Sequence, residues 1–142
     1  MTTHIRKVAI AGAGIMGSAI AQYFAERELN VLLYDVIPAA LEKVDENIQA
    51  NQKTLIQRGV LTQQQALQAR QRIRTTSDVK DFADADLVIE AIIEKMEIKQ
   101  RFFQQLEEIC RPDTIFATNT SSLSVNEICS QMQTKERFIG AN

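Results

Sequence analysis

The feature that most constrains this chain is a run of three glycines, Gly12-Ala13-Gly14-Ile15-Met16-Gly17, set between an apolar stretch, Lys7-Val8-Ala9-Ile10-Ala11, and a helical pattern over 15–28. A strand that passes through such a turn straight into a helix commits the chain to a strand–turn–helix unit whose next strand lies parallel to the first. Each glycine has a physical reason. Gly12 allows the tight turn, Gly14 lets backbone approach a bound pyrophosphate, and Gly17 lets helix and strand pack closely. The amides around Ala13, Ile15 and Met16, at the start of the helix, have no intrahelical partners and would face the phosphates.

Downstream, segments of two kinds alternate, the pattern of a parallel sheet with crossover helices. Further strands are expected at 31–34, 73–76, 87–89, 115–117 and 137–140, several of them apolar throughout, as in strands covered on both faces. Helices are expected at 38–57, 63–72, 97–110 and 125–132. The predicted fold class is α/β, a doubly wound and mostly parallel sheet of Rossmann type with a helical pair inserted after the second strand. In that pair Leu41, Val44, Ile48 and Leu55 keep helical spacing, Gly59 stops the first helix, and Thr62 with Gln65 forms a capping box for the second. A minimal crossover needs only a dozen residues. The pair is therefore either a stabilising insert or a wall of a binding cleft. At 142 residues the chain has room for one domain.

Composition narrows the ligand classes. With 45% apolar residues, 24% charged residues and a net charge of −2, the chain has the balance of a globular protein and lacks the basic surface that nucleic acid requires. No apolar run approaches a membrane span, and Met1 to Ala11 lacks the core of a signal peptide. Cys110 and Cys129 have no metal spacing, so no metal is expected. They read as reduced thiols of a cytoplasmic protein, or of one in an organelle matrix. Asp35 ends the second strand 18 residues past Gly17, where an acidic side chain accepts hydrogen bonds from an adenosine ribose. Val36 and Ile37 follow it in place of Arg or Lys. The carboxylate repels a 2′-phosphate and nothing nearby in sequence neutralises one, so NAD is the expected cofactor over NADP.

Two further segments lie at carboxyl ends of strands, where such sheets bind ligands. One is Ile89-Glu90-Ala91-Ile92-Ile93-Glu94, with Lys99 five residues on; the other is Thr118-Asn119-Thr120-Ser121-Ser122-Leu123-Ser124. Ser124 with Glu127 forms a capping box for the following helix. That leaves Asn119 and Ser121 with no obvious capping duty, a ligand-facing loop or a plain one. With the glycine turn, Ile20-Ala21, Asp35, Asp86-Leu87-Val88-Ile89-Glu90-Ala91, Glu94, Lys99, Asn119-Thr120-Ser121-Ser122-Leu123 and Arg137-Phe138-Ile139-Gly140, the chain resembles the NAD-binding domain of the L-3-hydroxyacyl-CoA dehydrogenases, which include the 3-hydroxybutyryl-CoA dehydrogenases. The resemblance implies fatty-acid or short-chain acyl metabolism and an acyl-CoA substrate. It assigns the pyrophosphate to Gly12, Gly14 and Gly17, the ribose to Asp35, and the nicotinamide side of the cofactor to Glu94 and Lys99. It makes Ser121 the catalytic serine that hydrogen-bonds the substrate's 3-oxygen next to the cofactor, and Asn119 the support of its loop. It brings the helical pair against coenzyme A, with Asn51 and Arg58 near the phosphates or adenine.

Oxidising a secondary alcohol requires a base for the hydroxyl proton. The family's histidine follows the Arg-Phe-x-Gly strand, a position that falls on Asn142, whose amide has no useful basicity. His4 precedes the first strand, roughly 20 Å away for a strand of about seven residues. The expectation is an NAD-binding Rossmann domain over 1–142, incomplete at its C-terminal end, without the helical dimerisation domain and inactive alone; the full-length family member would be a homodimer. Two alternatives stay open: a noncatalytic NAD-binding module that lost the histidine, and a related hydroxyacid dehydrogenase that does not use coenzyme A.

Overall fold

The computed structural model describes residues 4–120 and 123–140. Six strands form one sheet: β1 (Lys7–Ala11), β2 (Asn30–Tyr34), β3 (Ile73–Thr76), β4 (Leu87–Glu90), β5 (Ile115–Thr118) and β6 (Phe138–Gly140). Their order is β3-β2-β1-β4-β5-β6, and every neighbouring pair is parallel. The sheet is thus wholly parallel, and the chain reverses its direction of travel across the sheet between β3 and β4. That reversal opens a crevice above the carboxyl ends of β1 and β4.

Alternating side chains divide the core into two layers. Val8, Ile10, Val31, Leu33 and Ile89 face one side with α1 (Ile15–Glu26), α3 (Val44–Gln57) and α4 (Gln63–Gln71). Ala9, Ala11, Leu32, Val88 and Phe116 face the other, under α5 (Met96–Ile109) and α6 (Val125–Ile128). Burial on both faces explains why the strands read as unbroken apolar runs. The second layer is aromatic: Tyr34, Phe82, Phe102, Phe103, Phe116 and Phe138 form a chain of ring contacts.

The single helix expected over 38–57 is two, because the chain turns at Lys43 between α2 (Pro38–Glu42) and α3. The Thr62–Gln65 capping box is present in both directions. For Ser124, the hydroxyl accepts the Glu127 amide at 3.3 Å. The helical pair is tied to α1 by polar contacts as well as by Val44 and Ile48. Buried Gln52 donates to Glu26 of α1 at 3.4 Å as well as to the Ala66 carbonyl of α4, and accepts from Arg70 at 2.7 Å, while Arg72 donates to the Ala25 carbonyl of α1. Such satisfied amides explain how a Gln-rich stretch folds into a packed layer.

Both cysteines are buried and free. Burial pushes the Cys110 thiol up from its ordinary 9.0 to about 11, against the pull of Arg137 and Arg111, and its Sγ–H faces the Phe82 carbonyl. A raised folded value means that this group's contribution to stability is whole below pH 9.0 and is lost as pH rises through about 11. At pH 8 the thiolate is the reactive species. Labelling of Cys110 by a disulfide reagent is therefore expected to run at least about 100-fold slower in the folded chain than in denaturant. Equal rates would show the thiol to be accessible.

Candidate dinucleotide-binding site

The glycine turn leaves β1 with Gly12 at φ +107°, a backbone shape that L side chains rarely adopt. A Cβ at Gly12 would overlap the Ala91 carbonyl after β4, and one at Gly17 would overlap the Gly12 carbonyl. These two glycines serve the fold. Gly14 differs, since a Cβ there would meet nothing within 4 Å, so its bareness leaves open space over the crevice. Gly14 caps α1 with no side-chain bond, and the first turn holds no acidic residue. The first intrahelical bond runs from the Ser18 amide to the Gly14 carbonyl, leaving the earlier amides as donors for an anion. Ile15 and Met16 are exposed beside them.

Asp35 lies across the turn. Its Oδ2 accepts the Ala13 amide at 2.8 Å and its Oδ1 the Ile37 amide at 2.9 Å. An ionised carboxylate has about four acceptor positions, so each oxygen keeps one for a diol. Burial first, then the carboxylates of Asp35 and Asp78, hold the neighbouring Tyr34 hydroxyl above its ordinary range, a mark of the negative field at this strand end.

A cavity of about 540 Å³ runs from Gly12 and Gly14 past Tyr34, Asp35, Val36 and Ile37, with Ala91, Ile92 and Ile93 after β4 and one face of α5, Ile98, Arg101, Phe102 and Gln105, as its far wall. Those α5 residues recur at the i, i+3, i+4, i+7 spacing of one helix face. An acidic diol acceptor, bare amides at a helix start and apolar walls at the switch point suit the ribose, pyrophosphate and adenine of a dinucleotide. NAD fits the residues present.

Beside this cavity is a buried ionic cluster that sequence reading missed. Glu90, the last residue of β4, is 0% exposed and pairs with the Lys99 ammonium of α5. It also accepts the Thr118 hydroxyl at 2.5 Å and the Ile92 amide at 2.8 Å. Lys99 is 1% exposed and reaches Glu94 at 2.8 Å and the Ile92 carbonyl at 3.3 Å. Glu94, 43% exposed, accepts the Thr120 hydroxyl at 2.7 Å, and the Asn119 amide donates to the Glu90 carbonyl. The expectation that set Lys99 along the nicotinamide side is thereby refined. Its ammonium is spent inside the protein, on Glu90, Glu94 and the Ile92 carbonyl. A glutamate closing an apolar strand, with a lysine nine residues on, was the available signal.

Ser121 and Asn142 lie outside the described residues. His4 is exposed before β1, at the end of the sheet opposite the glycine turn. Arg58 is exposed at the end of α3, and Asn51, also exposed, donates to Gln22 of α1 at 3.3 Å. Neither lines the cavity, and the helical pair packs on α1. Among the described residues, no group of three or more His, Cys, Asp or Glu is placed to hold a metal ion, and no helix is long and apolar enough to cross a membrane.

The sheet order, glycine turn and strand-end acid define a dinucleotide-binding Rossmann domain. Over residues 7–142 the sequence matches the family described as "3-hydroxyacyl-CoA dehydrogenase, NAD binding domain", and the chain belongs to that family. NAD is its cofactor. A peroxisomal fatty acid beta-oxidation multifunctional protein of Oryza sativa is 41% identical over 138 residues, 97% of this chain and 19% of that protein. The 3-hydroxyadipyl-CoA dehydrogenase of Escherichia coli is 38% identical over 140 residues, 99% of this chain and 30% of the enzyme. The crystal structure of 3-hydroxybutyryl-CoA dehydrogenase from Escherichia coli superposes with a TM-score of 0.92 at 38% identity, covering 96% of this chain and 29% of that one. The chain thus spans under a third of the length of each of these relatives.

Proposed function

We propose that the chain is the NAD-binding part of an oxidoreductase that interconverts L-3-hydroxyacyl-CoA and 3-oxoacyl-CoA. The cavity joining the bare glycine turn to Asp35 at the switch point carries this reading, and the family match over 7–142 supports it. When bound, NAD supplies the nicotinamide that accepts a hydride from the alcohol carbon. The chain's own part is to hold and orient. Gly12, Gly14 and Gly17, with the amides around Ile15 and Met16, take the pyrophosphate; the Ala13 amide instead anchors Asp35, which takes the ribose. Glu94, with Lys99 behind it, shapes the nicotinamide side. Asn119 supports the loop from which the Ser121 hydroxyl bonds the substrate's 3-oxygen. Asn51 and Arg58 meet coenzyme A from the helical pair. The dimer and the rest of the acyl-CoA cleft belong, in this proposal, to sequence of the kind the longer relatives carry beyond the matched part, while the family's histidine position is held here by Asn142. The proposed compartment is the cytoplasm, which suits reduced buried thiols; the rice relative is named as peroxisomal.

The test is calorimetric titration with NADH followed by an assay with acetoacetyl-CoA. Binding without turnover is expected; absence of NADH binding would overturn the cofactor assignment. Asp35→Ala should weaken NADH by about tenfold or more and NADPH far less, because removing the carboxylate also removes repulsion of the 2′-phosphate. Both ligands lose the Ala13 anchor equally, so equal losses would refute the ribose role.

A further inference from the structure

Arg101 is the cation that sequence distance concealed from Asp35. It sits on α5, 66 residues further along the chain, yet lines the same cavity. The ring of its neighbour Phe102 stacks on Tyr34, with centroids 6.3 Å apart and planes 25° apart, and Tyr34 is the residue before Asp35. That stacking packs α5 against the end of β2, so that Arg101 and Asp35 line one cavity. Arg101 is exposed and makes no hydrogen bond or ion pair among the described residues. No ion pair joins it to Asp35, whose carboxylate accepts the Ala13 and Ile37 amides. The residues that line the cavity besides Asp35 and Arg101 carry no charge. A guanidinium without a partner, lining the same cavity as a fixed carboxylate, is a donor set for an anionic group on the ligand.

We propose that Arg101 sets how strongly the site discriminates between unphosphorylated and 2′-phosphorylated dinucleotides, offsetting the repulsion from Asp35 so that NADP(H) is also admitted, more weakly than NAD(H). The proposal rests on the reading of this cavity as the NAD site. Asp35 disfavours a 2′-phosphate through its charge, and Arg101 supplies the compensating charge-assisted contact that the residues following Asp35 do not.

Fluorescence titration of the chain with NADH and with NADPH tests it, using the native protein, Arg101→Gln and Arg101→Lys. Arg101 is exposed, so all three should melt alike. NADPH should bind the native chain measurably. Arg101→Gln should weaken NADPH by about tenfold or more, the size of one charge-assisted hydrogen bond, and change NADH by less than about threefold. Arg101→Lys should retain most NADPH binding, and the difference between variants should shrink with added salt. Normal NADH binding with no NADPH binding to the native chain, or equal losses of both ligands in Arg101→Gln, overturns the proposal alone. Failure of NADH to bind the native chain overturns the site reading and the proposal together.

Discussion

Lys99→Met should remove about 3–5 kcal/mol of stability, the loss seen when one partner of a buried ion pair is deleted. Against a total of about 5–15 kcal/mol for a domain, that is enough to leave much of the population unfolded. The reason is the depth of the cluster. Glu90 and Lys99 are 0% and 1% exposed, so water does not replace the lost ammonium, and the Thr118 hydroxyl and Ile92 amide do not neutralise a carboxylate. The double variant Glu90→Gln with Lys99→Met should recover more than about 1 kcal/mol. There the amide oxygen still accepts the Ile92 amide, its nitrogen donates to the Thr118 hydroxyl, and no charge is left buried. Urea denaturation of Lys99→Met, Glu90→Gln and the double variant measures this. If the two single losses simply add in the double variant, the pair is not coupled and the account fails.

How much of this was legible in the sequence depended on the range of the contacts. The six strands were found within about a residue, and β1, β2, β4 and β5 most directly, because a strand buried on both faces is an apolar run whatever its neighbours. The break at Lys43 was invisible, since Leu41, Val44 and Ile48 keep their helical spacing across it and a one-residue turn leaves periodicity intact. The glycine turn and Asp35 were legible because they belong to one strand–turn–helix unit. The Glu90 cluster was not. Thr118 meets Glu90 only because the β4–β5 register pairs those positions, and Lys99 meets it only because the aromatic layer seats α5 over the sheet. Arg101 was not singled out for the same reason: it shares a cavity with Asp35 because Phe102 stacks on Tyr34, and no local pattern encodes that packing. Local motifs thus pointed to the strand ends around which the cavity opens. Which charges surround it was decided by packing.

The glycines allow the contribution of fold and of ligand to be separated by experiment. In a helix interior, glycine to alanine ordinarily adds about 0.5–1 kcal/mol. At Gly17 the sign reverses, because the new Cβ overlaps the Gly12 carbonyl, a backbone atom that moves only if α1 lifts off β1. Shifts of packed backbone cost about 1–3 kcal/mol or more, and the lift would also drag the first-turn amides off the turn. Gly17→Ala is therefore expected to lower the melting temperature and to weaken NADH by about 100-fold or more, the equivalent of losing several phosphate contacts. Gly14→Ala is the control. Its Cβ meets nothing within 4 Å, so the melt should be unchanged or slightly raised, while NADH still weakens because the methyl group occupies the space left for the pyrophosphate. Thermal melts paired with NADH titrations of both variants decide the matter. If Gly14→Ala binds NADH as the native chain does, the pyrophosphate is not held over that turn; if Gly17→Ala melts normally, α1 has slack that the close approach to Gly12 denies.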